Sequence, residues 1–221
     1  MSNTTQTIIS AALLGMVSML SCNTSSGNQS LKKEIAAGDS SNQQNTAADK
    51  DSASVIYFAG GCFWGTEHFF KQIKGVIATE VGFANGHTEH PTYEDVVQKN
   101  TGFAETVKVT YNPQTIDLDL LLNLFFLTID PTSVNRQGND IGDQYRTGIY
   151  YTSDQQLSAI RERINAETAM HHKPIVVEVG PLENYYKAED YHQDYLEHNP
   201  GGYCHINPAL FKVAKDANQK K

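Results

Sequence analysis

Cysteine is scarce. There are three in 221 residues, Cys22, Cys62 and Cys204. That is too few for a disulfide framework in a chain this long, and none is spaced from another as a pair of metal ligands. Each therefore needs its own explanation. Basic residues are outnumbered, 17 Lys and Arg against 25 Asp and Glu, and no long basic run offsets the net charge of −8. Nucleic acid and anionic lipid surfaces are repelled by such a balance. A glycine-rich phosphate loop and internal repeats are absent, so no nucleotide cofactor is implied. No apolar run reaches the length of a bilayer span. What is present, a 39% hydrophobic fraction, suffices for one folded domain with appendages.

The appendages come first. Ile8 to Leu20 is an apolar stretch of about a dozen residues, the length of a signal-peptide core. It ends in Met19-Leu20-Ser21-Cys22, which resembles a bacterial lipobox, whose cysteine is lipidated and becomes the first mature residue. The alternative is a cleaved signal peptide with an incidental cysteine. Residues 23–53 are Ser, Asn, Gln, Ala, Lys and Asp with almost no large apolar side chains, a composition that cannot offset its ordering entropy and reads as a tether. The expected division is therefore a leader over 1–22, a tether over 23–53 and a catalytic domain over 54–221. The expected location is the bacterial cell envelope, extracytoplasmic and lipid-anchored, or the periplasm if Cys22 is incidental.

Beyond the tether, apolar runs alternate with amphipathic stretches, which predicts an α/β fold, a mixed sheet with helices packed on it. Strands are expected at Val55 to Phe58, Val76 to Phe83, Ala104 to Tyr111, Thr147 to Tyr151 and Ile175 to Val179. Helices are expected at Trp64 to Ile73, Tyr93 to Gln98, Asp117 to Thr128, Asp154 to Met170 behind a Ser153 cap, and near Glu189 to Glu197.

Cys62 stands where the first strand gives way to the first helix. Gly60 and Gly61 before it permit a tight turn, and the free N–H groups of a helix N-terminus stabilise a thiolate. Phe63 and Trp64 after it could wall an apolar group such as a methyl on sulfur. Glu105 opens a strand with apolar neighbours, where desolvation would raise its pKa toward that of a general acid; the alternative is an exposed strand-edge carboxylate. Residues 135–146 form a polar, glycine-bearing loop that includes Asp140 and Tyr145. Cys204 lies in a glycine-rich tail, as a resolving thiol must in order to reach an oxidised partner.

Five ordered motifs now carry a resemblance: Gly61-Cys62-Phe63-Trp64-Gly65; Pro91-Thr92-Tyr93; Thr101-Gly102 with Ala104-Glu105; Arg136-Gln137-Gly138-Asn139-Asp140 with Gln144-Tyr145-Arg146; and Asn199-Pro200 with Gly202-Tyr203-Cys204. The chain resembles peptide methionine sulfoxide reductases of the A type, from about Val55 to Pro208. Phe103 stands where that family usually has His, and Asp143 where Thr is common. The resemblance implies a ferredoxin-like α+β sandwich and an oxidoreductase that returns methionine-S-sulfoxide, free or in oxidised proteins, to methionine. It further implies Cys62 as nucleophile, Glu105 as proton donor, Tyr93 and Tyr145 on the sulfoxide oxygen, Asp140 in the polar network, and Phe63 and Trp64 on the ε-methyl. Cys204 would close a disulfide with Cys62, and a thioredoxin-like dithiol would reopen it. No metal or bound organic cofactor is implied. Rival readings are a thiol peroxidase, a non-catalytic lipoprotein, and a metal module built from His171, His172, His192, His198, Cys204 and His205, whose spacings match no zinc pattern.

Overall fold

The computed structural model describes residues 53–219. The expected leader with Cys22, and all of the expected tether except its last residue, lie outside the described residues.

In chain order the elements are β1 (Ser54–Gly60), α1 (Phe63–Lys71), β2 (Val76–Ala84), α2 (Tyr93–Gln98), β3 (Ala104–Tyr111), α3 (Leu118–Thr128), the two-residue strands β4 (Arg136–Gln137) and β5 (Asp140–Ile141), β6 (Thr147–Tyr151), α4 (Asp154–Met170), β7 (Glu178–Pro181), β8 (Tyr185–Lys187), α5 (Tyr195–His198) and α6 (Ala209–Asp216). Single 3-10 turns span Asp143–Tyr145 and Asp190–His192. Six strands form one sheet in the order β7-β6-β1-β3-β2-β8, antiparallel except for the parallel β6–β7 pair. Its central four strands, β6-β1-β3-β2, joined through α1 and α3, have the ferredoxin-like arrangement.

The core follows from strand alternation. Ile56 and Phe58 on β1 join Val107 and Val109 on β3 and a wall of helix residues that includes Phe69, Phe70, Leu121, Leu122 and Phe125. Tyr57 and Ala59 point to the opposite face, where Ala84, Ala104 and Tyr150 cover them. β1 is thus buried on both sides, which explains why it reads as a continuous apolar run. Phe58 is the centre of the helix-side layer, with Phe70 stacked at 4.7 Å and Phe125 tilted at 4.7 Å.

Side-chain caps open two of the helices, α2 and α3. Thr92 and Asp95 form a reciprocal capping box on α2, and the Asp117 carboxylate accepts from Leu120 N–H at 2.7 Å to open α3. Ser153 occupies the cap position of α4 but its hydroxyl makes no capping bond. Gln156 substitutes for it: its Oε1 accepts from Thr152 N–H at 2.8 Å, and its Nε2 donates to the Val55 carbonyl at 2.7 Å, tying the helix to β1.

Two expected elements are corrected. The strand expected at Ile175 to Val179 lies instead at Glu178–Pro181, because Val176 N–H is engaged by the Pro131 carbonyl at 2.9 Å and the register of β6 begins at Glu178. The helix expected near Glu189 to Glu197 is split, because Asp194 adopts a left-handed φ of 56° while its N–H donates to Glu67 at 2.8 Å. Strand β8, helix α6 and the β4–β5 hairpin add elements that periodicity did not indicate; they are short or made by the tail. Among the described residues no helix is long and apolar enough to cross a membrane.

Replacing Phe58 by Ala should lower unfolding free energy by about 3–5 kcal/mol through lost burial and an unfilled cavity, measured by urea denaturation. A loss under about 1 kcal/mol would mean the layer is not the core.

Candidate active site

The site begins with backbone geometry at Gly61. Its φ is +85°, and a Cβ there would come within 2.6 Å of Gln137 Cβ, so only glycine can turn β1 into α1 at this point. Gln137 is itself fixed, accepting from Asp130 N–H at 2.8 Å and donating to the Asp130 carbonyl at 2.9 Å. The turn delivers Cys62 to the N-cap of α1, 6% exposed.

The first free N–H groups of α1 are divided between two side chains. Phe63 N–H donates to Glu105 Oε2 at 3.0 Å, while those of Trp64 and Gly65 point to the Cys62 sulfur. Glu105, on β3 opposite Phe83, is 1% exposed, which excludes the exposed-edge alternative. Burial pushes its pKa up to about 8, against the opposing Phe63 bond and with a small contribution from the charge of Asp140. Burial likewise drives the Cys62 thiol well above its ordinary value, and Glu105 adds to this; the helix N–H groups act the other way and are outweighed. The helix N–H groups thus favour a thiolate as expected, while desolvation acts against it and is the larger effect.

Two phenols face this pair. Tyr93 begins α2 and Tyr145 ends the 3-10 turn after β5, with the Tyr145 hydroxyl directed to that of Tyr93. Burial raises Tyr93 to about 12, and the charges of Glu105 and Cys62 add to the effect. Tyr145 is raised further by the same causes. Both stay protonated and serve as donors. Asp140, on β5 opposite Gln137, accepts from the Tyr203 hydroxyl at 3.1 Å.

Phe63 is buried and packs on Phe83 at 5.9 Å and His192 at 5.2 Å. Trp64 is partly buried, stacked on Tyr195 at 3.8 Å with 15° between planes, and its Nε1–H donates to His192 Nδ1 at 3.0 Å. Tyr93 also lies against His192, at 4.4 Å. His192 and Tyr195 thus complete an aromatic wall that the sequence reading missed. The metal rival uses His192 differently, and the signal for this wall is the aromatic-rich tail from Tyr185 to Tyr195. Among the described residues, no three His, Cys, Asp or Glu side chains converge as metal ligands.

Cys204 is a free thiol, partly buried. Its sulfur lies 2.8 Å from where a Cβ on Gly65 would be, so it rests on the first turn of α1, three residues from Cys62. Any side chain at Gly65 would displace it. Phe103 is buried over Gly86 and edge-on to Tyr186 at 5.7 Å, and Asp143 is exposed at the start of its 3-10 turn. Glu67, not singled out from sequence, is buried and pushed up to about 7 by desolvation. It accepts from Asp194 N–H at 2.8 Å and from Thr79 Oγ1 at 3.1 Å, tying α1 to the tail.

The sequence model of the peptide methionine sulfoxide reductase family matches residues 54–221. The chain belongs to that family. It is an enzyme that reduces methionine sulfoxide. Among curated relatives of this reductase, the peptide methionine sulfoxide reductase MsrA of Clostridium perfringens is 58% identical over 151 residues, covering 68% of this chain and 96% of the relative. That of Lachnoclostridium phytofermentans is 51% identical over 163 residues, 74% and 98% of the two chains. Among solved structures, methionine sulfoxide reductase A of Corynebacterium diphtheriae superposes with a TM-score of 0.65 at 39% identity, covering 69% of this chain and 78% of that one. The reduced form of Mxr1 from Saccharomyces cerevisiae gives 0.68 at 37%, covering 72% and 93%.

The buried carboxyls of the reductase make its stability depend on pH. Glu105 rises from 4.5 to about 8 on folding and Glu67 to about 7. The folded state therefore keeps protons that the unfolded chain loses above about pH 4.5, and stability declines as pH rises through this window to about 8. Glu105→Gln should flatten that decline, seen as a smaller drop in thermal midpoint between the two ends of the window; equal slopes in both proteins would refute the shift.

Proposed function

We propose that Cys62 is the nucleophile that attacks the sulfur of a methionine S-sulfoxide while Glu105 protonates its oxygen and takes up the proton that the thiol gives up. The observation that carries the reading is the shared helix terminus: Cys62 is the N-cap of α1 and the Glu105 carboxyl accepts from the first N–H of that helix, Phe63. A carboxyl at about pKa 8 is still largely protonated near neutrality and can donate to an oxygen that gains negative charge as its bond to sulfur breaks. The protonated hydroxyls of Tyr93 and Tyr145 donate hydrogen bonds to the same oxygen, and stabilise the charge that develops there. Asp140, tied to Tyr203, orients the polar side of the substrate. Phe63 and Trp64 hold the ε-methyl, with Trp64 kept in place by Tyr195 and His192.

The oxygen passes to Cys62, which becomes a sulfenic acid as methionine leaves with its sulfur reduced. The thiol of Cys204 then attacks that sulfur, an S–S bond forms, and the S–O bond breaks with release of water. A dithiol donor of the thioredoxin type reduces the disulfide and restores both thiols. The closeness of Cys204 to Gly65 supports this second step.

The mature chain is read as a domain over 54–221, tethered through 23–53 to a lipid on Cys22, on the extracytoplasmic side of a bacterial envelope. The support is the lipobox-like Met19-Leu20-Ser21-Cys22 behind an apolar core. Metabolic labelling of the expressing cell with a palmitate analogue should mark the full chain, and Cys22→Ala should abolish the mark. A labelled variant would remove the anchor.

A mixture of methionine sulfoxide epimers offered with dithiothreitol should lose the S epimer alone, followed by chiral separation. Consumption of the R epimer, or of neither, contradicts the reading. Cys204→Ser should release one methionine per chain without reductant and fail to cycle with thioredoxin; undiminished cycling would remove Cys204 from the scheme.

A further inference from the structure

One imidazole at the head of α1 has no role in the steps above. His205 follows Cys204, and its side chain is 3% exposed. Neither ring nitrogen has a hydrogen-bond partner among the described residues. Nδ1 stands 3.9 Å from Asp140 Oδ2, and the ring faces the Gly60 carbonyl without reaching bonding geometry. Buried polar groups left unpaired cost about 1–3 kcal/mol each, so a ring held this way calls for a reason beyond packing.

Its location supplies one. A Cβ on Gly61 would lie 3.3 Å from Nε2, and one on Gly65 would lie 3.5 Å from Nδ1. The ring therefore bridges the two glycines that bracket Cys62. The same position above Gly65 is 2.8 Å from the sulfur of Cys204, so imidazole and thiol share one small space over the first turn. The titratable groups beside it are Asp140 from β5 and Cys204, its neighbour in the chain. Burial lowers the imidazole pKa, partly offset by Asp140, which leaves a neutral ring able to accept a proton. The Cys204 thiol is raised by burial and does not ionise unaided near neutrality.

We propose that His205 is the proton acceptor for Cys204 in closing the disulfide. The proposal rests on the two-thiol reading above. As the Cys204 sulfur bonds to the sulfenic sulfur of Cys62, His205 takes the thiol proton and returns it to the departing hydroxyl, which leaves as water. The S–S bond forms, the S–O bond breaks, Cys204 is oxidised and the Cys62 sulfur is reduced, with no outside reactant. Asp140 stabilises the transient imidazolium. The first step, transfer of oxygen to Cys62, does not require this residue.

The test separates the two steps in the full reductase. With substrate and no reductant, His205→Gln should release its single methionine at the wild-type rate. Formation of the Cys62–Cys204 disulfide, followed by loss of dimedone-reactive sulfenic acid, should slow about 100-fold or more. Its rate should also lose the imidazole inflection from the pH profile. His205→Ala should be slowed likewise and rescued by added imidazole in proportion to the free base. Disulfide formation at the wild-type rate would overturn the proposal. So would a slowed rate that keeps its pH inflection and resists imidazole. If His205→Gln lacks the methionine burst because it does not fold, the imidazole response of His205→Ala decides. Cys204→Ser run in parallel keeps the cases apart: if that variant cycles normally with thioredoxin, the two-thiol reading falls, whatever His205 does.

Discussion

The division of the first N–H groups of α1 between a sulfur and a carboxyl is the constraint on which the rest of the structure depends. A helix end offers a few unsatisfied donors and a partial positive charge. Here both go to groups that are themselves buried, Cys62 and Glu105. Glu105 can be present only because β3 lies beside β1 in the sheet, and Cys62 only because Gly61 makes a left-handed turn against Gln137. The sheet order and the turn are two requirements of one arrangement.

Burial rather than dipole sets the protonation of the pair. The N–H groups favour charge on sulfur and carboxylate alike, yet desolvation acts on both in the opposite sense and prevails. The outcome suits the proposed reaction, in which an oxygen is protonated while a sulfur is attacked. A fully ionised site would repel its own carboxylate and have no proton to give. The tyrosines follow the same logic, since their raised values keep them donors.

Much of this was legible in residue order. The strands Ala104–Tyr111 and Thr147–Tyr151 and the helices Tyr93–Gln98 and Asp154–Met170 fall where periodicity and turn residues put them, because the strands bury what their runs declare and the helices are bracketed by their own start and stop residues. Cys62, Glu105, Tyr93, Tyr145 and Asp140 were named from motifs, and the fold brings their charges and hydroxyls within mutual influence. The tail was not legible in the same way. Asp194 breaks a helical stretch because a carboxylate on another element, Glu67, holds its N–H, and no local pattern records a partner so far away. His192 and Tyr195 matter through Trp64, and β8 exists only because β2 offers an edge.

The separations involved have a consequence for how the molecule comes into being. Phe63 and Glu105 are 42 residues apart, and Trp64 and His192 are 128 apart. Contacts of such separation carry a loop-closure cost that local ones do not. While the chain is being made, Cys62 exists before its neighbour Glu105 and before the tail that covers it. A chain cut short before the tail would carry that thiol without its enclosure.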